Sequence, residues 1–204
     1  MELMKKAAPF ISYLFHPLLM PSLGLLIILN SGTYLSLLDP AAKRAIMYVM
    51  ALGTLVFPLM MLPVLQYRHL VLKNGQVATK SERLVPQVII LVLYIITFVY
   101  FKNLPLNQVI HAYVLAVCLT LFLLVLANLR FRISFQTAAL GGLTGLIIAL
   151  IYLYETPLDG LLILSLLAGG LTGSSKLAQG SHWGEVLSGF LLGLAVVLLT
   201  ILVY

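Results

Sequence analysis

Three short polar stretches hold most of the chemistry available to this chain. They read KSERLVP at Lys80–Pro86, RFRISFQ at Arg130–Gln136 and SSKLAQGSHWGEV at Ser174–Val186. Lys80, Arg83, Arg132 and Lys176 are cations that can surround an anion, and Ser134 with backbone N–H groups at helix starts can add neutral donors. His182, followed three residues on by Glu185, offers a nucleophile or base with a carboxylate within reach across one helical turn. No cluster supplies three His, Cys or carboxylate ligands at zinc-like spacing, so neither a metal nor another cofactor is expected.

These stretches stand out because so little else is charged. Of 204 residues, 62% are apolar or aromatic and only 9% are charged, against roughly 25% charged in a soluble domain. Such a chain cannot cover a globule with polar surface, and it belongs in a lipid bilayer. Intrinsic disorder is excluded with it, and the single Cys118 excludes a disulfide scaffold. The net charge of +6 suits nucleic acid, anionic lipid or phosphate. Without a basic stripe on a soluble face, no nucleic-acid partner is expected. Lys5 and Lys6 before an apolar run look like the start of a signal peptide, but no small-residue cleavage site follows, so the first segment is expected to be retained.

A helix needs about 20 apolar residues to cross the hydrocarbon core. Reading between charges gives seven candidates: Phe10–Leu29, Ala45–Leu65, Leu84–Phe101, Val109–Leu129, Thr137–Tyr154, Leu158–Gly173 and Val186–Tyr204. They hold one formal charge, Asp159, at a helix start where an anion suits the dipole. Runs of this length without period-2 alternation specify helices, so the expected fold is an all-α, polytopic transmembrane bundle of six or seven spans in one domain. His16, Pro17 and Pro21 interrupt the first span and predict a kinked or partly re-entrant segment. Two spans separate the first polar cluster from the second, and two separate the second from the third. All three clusters are therefore expected on one membrane face.

Each element has a plainer reading beside the chemical one. A basic loop next to a span is also a topology signal, and His182 beside Trp183 also fits an interfacial anchor. His16 and His111 lie near span ends without an evident partner and read as structural. The pairs Gly141/Gly145, Gly169/Gly173 and Gly189/Gly193 suit close packing within one bundle, or a dimer seam; the oligomeric state is left open.

Taken together, the three clusters resemble the type-2 phosphatidic-acid phosphatase superfamily, integral-membrane lipid phosphatases related in fold to vanadium haloperoxidases. FHPLLMP at Phe15–Pro21 looks like the opening of compact bacterial members. The family pattern is K-x6-R-P, then P-S-G-H, then S-R-x5-H-x3-D. Against it stand Ser175, Lys176, five residues and His182, with Glu185 in the carboxylate's place; Ser134 matches the second serine, and Gln136 falls where the acid histidine belongs. Of the first motif, Lys80, Arg83 and Pro86 remain at altered spacing.

The resemblance implies a membrane-embedded phosphatase for a lipid phosphate or isoprenoid diphosphate, in the bacterial cytoplasmic (inner) membrane, with membrane lipids as its surroundings. His182 would attack phosphorus to give a phosphohistidine, Glu185 would orient it, and Lys80, Arg83, Arg132, Ser134, Ser175 and Lys176 would bind phosphate. Lys176 in place of Arg keeps the charge but loses the bidentate fork, and Gln136 cannot donate a proton. A catalytically silent relative that binds or handles lipid phosphates is the other reading. Nine Lys and Arg fall on the cluster side and three on the other, which puts the clusters in the cytoplasm. Four of those nine are candidate ligands, and the resemblance implies an outward-facing site, so the two arguments oppose each other.

Overall fold

The computed structural model of the chain describes residues 15–33, 37–61 and 80–204, with the backbone alone described at 80–83. Among the described residues the regular elements are helical. Helix α1 is Met20–Asn30, and α2 is Pro40–Ala51, which runs on through a π-helical stretch, Leu52–Val56. Then come α3 (Lys80–Lys102), α4 (Gln108–Asn128), α5 (Phe135–Tyr154), α6 (Asp159–Ala178) and α7 (Trp183–Val203). Six segments are long and apolar enough to cross a membrane: Pro40–Met61, Leu84–Lys102 and the four helices from α4 to α7. The protein is an integral, multi-pass helical bundle.

The expected first span, Phe10–Leu29, needs correction. Its helix starts only at Met20 and has 11 residues, about 16 Å of rise and roughly half of a 30 Å hydrocarbon core. Pro17 delays the start: the chain turns first, with the Leu19 N–H donating to the His16 carbonyl at 2.9 Å. Pro21 then sits in the first helical turn, where its missing N–H costs nothing. Residues 10–14 lie outside the described ones. The expected sixth span, Leu158–Gly173, runs further, to Ala178.

Helices α4 and α5 form the centre of the bundle, with 56% and 61% of their spans buried against 22–28% for the other four. The peripheral helices turn Ile96, Leu164 and Leu199 outward, as lipid contact requires. In lipid no hydrophobic effect pulls one apolar helix onto another, so close backbone approach and dispersion do that work. The glycine pairs supply it inside this bundle. A Cβ at Gly141 would strike the Phe190 backbone, one at Gly193 the Ala138 backbone, and one at Gly145 the Leu194 carbonyl. Helices α5 and α7 therefore meet backbone to backbone along their length. That seam sets their first turns side by side, and the second and third polar clusters lie there.

The π-helical stretch is held by neighbours. The Thr54 hydroxyl donates to the Met50 carbonyl at 2.8 Å and lies 3.3 Å from the Ser22 hydroxyl. The Tyr94 hydroxyl donates to the Thr54 carbonyl at 3.3 Å, satisfying backbone that the wider turn leaves available.

Candidate functional site

A cavity of about 900 Å³ opens at the end of the bundle where α4 and α6 finish and α3, α5 and α7 begin. Short local motifs build its wall. Between α4 and α5, Asn128 accepts the Ile133 N–H at 2.8 Å through its side-chain oxygen, and its amide donates to the Gln87 side chain on α3 at 3.4 Å. Ser134 caps α5, its hydroxyl accepting from the Thr137 N–H at 3.4 Å. Gly180, with φ of +93°, makes the left-handed turn that closes α6. His182 is the N-cap residue of α7, and its carbonyl accepts the Glu185 N–H at 3.1 Å. The Ser134 N–H donates to the Glu185 carbonyl at 3.1 Å, fixing the second cluster to the third.

Six of the candidate residues line this cavity: Arg132, Ser134, Gln136, Lys176, His182 and Glu185. Arg132 and His182 are exposed, while Ser134, Lys176 and Glu185 are half-buried. Ser175 does not line it; its side chain is buried, and its hydroxyl accepts from the Gln179 amide at 3.4 Å. Residue 175 faces inward because Lys176, one step on along the same helix, takes the cavity side. Lys80 and Arg83 start α3 on the cavity side of Leu84 and Gln87, but their side chains lie outside the described ones.

Gln136 is buried, and its amide donates to the Phe15 carbonyl at 3.0 Å. It occupies the cavity floor as an anchor for the segment that carries His16.

Sequence reasoning missed His16 and Arg130, both of which line the cavity. Arg130 had a signal, since it opens the same RFRISFQ cluster. His16 stood in the FHPLLMP stretch but had no partner signal, because the charged and titratable lining groups Arg130, Arg132, Lys176, His182 and Glu185 are all more than a hundred residues away. Burial holds its imidazole below the ordinary histidine value. Among the described residues, no ion pair neutralises Arg130, Arg132 or Lys176, so the cavity has cations to offer to an anion. Among the described residues its one lining carboxylate is Glu185.

Below the polar cavity runs a narrow apolar crevice lined by Met20, Tyr113, Leu121, Leu124 and Leu143. Pro17 and Phe135 line both spaces. The Tyr113 hydroxyl is turned away to the Pro21 carbonyl, to which it donates at 3.0 Å, so the crevice wall is apolar despite its two tyrosines, Tyr94 and Tyr113. Among the described residues no group of three His, Cys, Asp or Glu is placed to hold a metal ion. His111 lies on the first turn of α4, away from this site, with a buried Nδ1 that has no hydrogen-bond partner among the described residues. Compared with protein-family models, curated proteins and solved structures, the chain finds no match.

Proposed function

We propose that this protein is a membrane-embedded phosphatase for a lipid phosphate or diphosphate, an isoprenoid diphosphate being the favoured class. One observation carries the reading: among the described residues, a cavity with three cations free of ion pairs, two histidines and a carboxylate meets an apolar crevice at Pro17 and Phe135. An amphiphile with an anionic head and a hydrocarbon chain matches that pairing, whereas free phosphate uses only half of it. Arg130, Arg132 and Lys176 hold the non-bridging oxygens. An imidazole nitrogen of His182 forms a bond to phosphorus as the bond to the leaving oxygen breaks, and that oxygen takes the electron pair. Water then attacks the phosphohistidine, its proton passing to Glu185, and inorganic phosphate and free imidazole are released. The resemblance to bacterial lipid phosphatases favours the bacterial inner membrane as its location.

A silent, lipid-phosphate-binding relative is the second reading. It is favoured by the commitment of the Gln136 amide to the Phe15 carbonyl, which takes the place of a proton donor. Release of phosphate from a panel of lipid mono- and diphosphates by purified protein in detergent separates the two. Turnover that depends on His182 supports the enzyme. Saturable binding of the same lipids without turnover supports the silent relative, and neither binding nor turnover removes both.

A further inference from the structure

We propose that His16 is a ligand-binding residue of the cavity, a neutral imidazole that donates its Nε2–H to an oxygen of the bound phosphate or diphosphate. This inference rests on the cavity being a phosphate site. Three features of the fold lead to it. First, His16 lines the cavity although it comes from the turn before α1, a part of the chain outside all three polar clusters. Second, its Nδ1 accepts the Leu18 N–H at 3.4 Å. A ring nitrogen that accepts a hydrogen bond carries no proton, so in the neutral ring the proton must be on Nε2. Third, the segment is held from below, because the Gln136 amide donates to the carbonyl of Phe15, the residue before His16. The residue at position 136 thus fixes the segment that places a different N–H donor in the cavity.

The charged groups around His16 favour the neutral ring. Among the described residues, Arg130 and Arg132 face the cavity from the α4–α5 connection, Lys176 from α6, and His182 and Glu185 from α7, while α3 contributes the uncharged Leu84 and Gln87. These three described cations against one described carboxylate oppose a further positive charge, and partial burial acts in the same direction. A neutral donor suits this setting: it stabilises charge growing on a ligand oxygen without giving up a proton, so it needs no reprotonation between turnovers.

The test is nitrogen NMR on full-length protein with labelled histidine imidazoles in detergent micelles, with assignments taken from His16→Gln and His182→Gln. Inorganic pyrophosphate and farnesyl diphosphate are the probes. At pH 7 His16 is expected to be neutral with its proton on Nε2, and that resonance should move as either probe saturates. His16→Ala should weaken pyrophosphate binding about tenfold, the loss expected of one hydrogen bond to a charged acceptor. His16→Gln, which keeps an N–H donor, should recover part of it, and Gln136→Ala should reduce the His16 response without removing the His182 response. A charged His16 at pH 7, or a proton on Nδ1, overturns the proposal without any ligand. A His182 resonance that moves while His16 stays still overturns it and leaves the phosphate site standing. No response of either histidine to either probe overturns both.

Discussion

The backbone N–H of Ser134 donates to the carbonyl of Glu185 at 3.1 Å. This bond joins the first turns of α5 and α7 and makes one wall of two polar clusters that the sequence separates by two spans. Below it a Cβ on Gly189 would lie 2.7 Å from the Ser134 carbonyl, so only glycine there lets the two starts approach so closely. The cavity geometry is therefore tied to the α5–α7 seam.

Gly193→Ala and Gly141→Ala should accordingly destabilise the protein by about 1–3 kcal/mol each, the range for overpacking a tight contact. The added methyl meets backbone, which cannot rotate away. Gly170→Ala, where nothing lies within 4 Å, is the control and should be neutral or slightly stabilising. Thermal unfolding in detergent reads this out, and equal midpoints for all three variants would show that the seam does not govern stability.

Much of this architecture is legible in the sequence for a simple physical reason: charge is so costly inside a bilayer that it punctuates the spans. The positions of α4, α5 and α7 follow from that punctuation within a few residues, as does the meeting of Arg130–Gln136 with Ser174–Val186. Proline marked the break before α1, because Pro17 and Pro21 limit where a helix can begin. The bond from Gln136 to Phe15 spans 121 positions and leaves no periodic trace. His16 stood in FHPLLMP, but its place in the cavity was hidden for the same reason. The crevice was hidden because its lining residues, such as Leu121 and Leu143, look like any other apolar residue of a span.

Topology gives a second prediction. In a Cys118→Ser background, single cysteines at Gly75 and Gly180 should react with a membrane-impermeant maleimide from the same side, and one at Asn103 from the other. Lys102 ends α3 and Ala178 ends α6, two helices that start from opposite sides of the bundle. Opposite-side labelling of positions 75 and 180 would remove the shared site. The side that labels also decides between a cytoplasmic and an outward-facing cavity.

If the protein turns over a lipid phosphate, His182→Ala should abolish activity. Lys176→Arg should preserve or improve it, since the guanidinium adds a bidentate fork at the same charge. Losing one cation of three or four leaves partial stabilisation, whereas a nucleophile has no substitute. Near wild-type phosphate release by His182→Ala would remove the phosphohistidine route.

The lowered value of His16 gives turnover a pH signature. A neutral donor works above its titration point. Activity should be retained as pH rises through 7 and lost on the acid side, as pH falls through a value below 6.5. A proton-donating His16 would give the reverse, with activity falling as pH rises through that same value. A second histidine, His182, lines the same cavity, so the limb belongs to His16 only if His16→Gln removes it from kcat/KM. An unchanged acid limb in that variant would assign it elsewhere.

The last prediction concerns whether a phosphate ester or a phosphoanhydride bond is cleaved. Expelling an alkoxide from a lipid monophosphate requires a proton in the transition state, and general acid catalysis there is worth about 10²–10⁴-fold. The cavity holds no evident acid at position 136, where the Gln136 amide is buried and engaged with Phe15. A neutral His16 supplies a hydrogen bond to the leaving oxygen and no proton. Cleaving the terminal phosphate of a diphosphate expels a phosphate monoester, a much weaker base, which one N–H donor and the cations Arg130, Arg132 and Lys176 can stabilise. Diphosphates should therefore be turned over far faster than monophosphates of the same chain. From the sequence alone, Gln136→His should raise monophosphate turnover selectively. The fold adds a condition, because a histidine there must also hold the Phe15 carbonyl, and an Nε2–H so engaged cannot act as an acid. Gln136→His should thus raise monophosphate turnover only where the His16 resonance shows that the Phe15 segment has moved. Equal rates on both substrates in the native protein would show that neither Gln136 nor His16 sets the choice of leaving group.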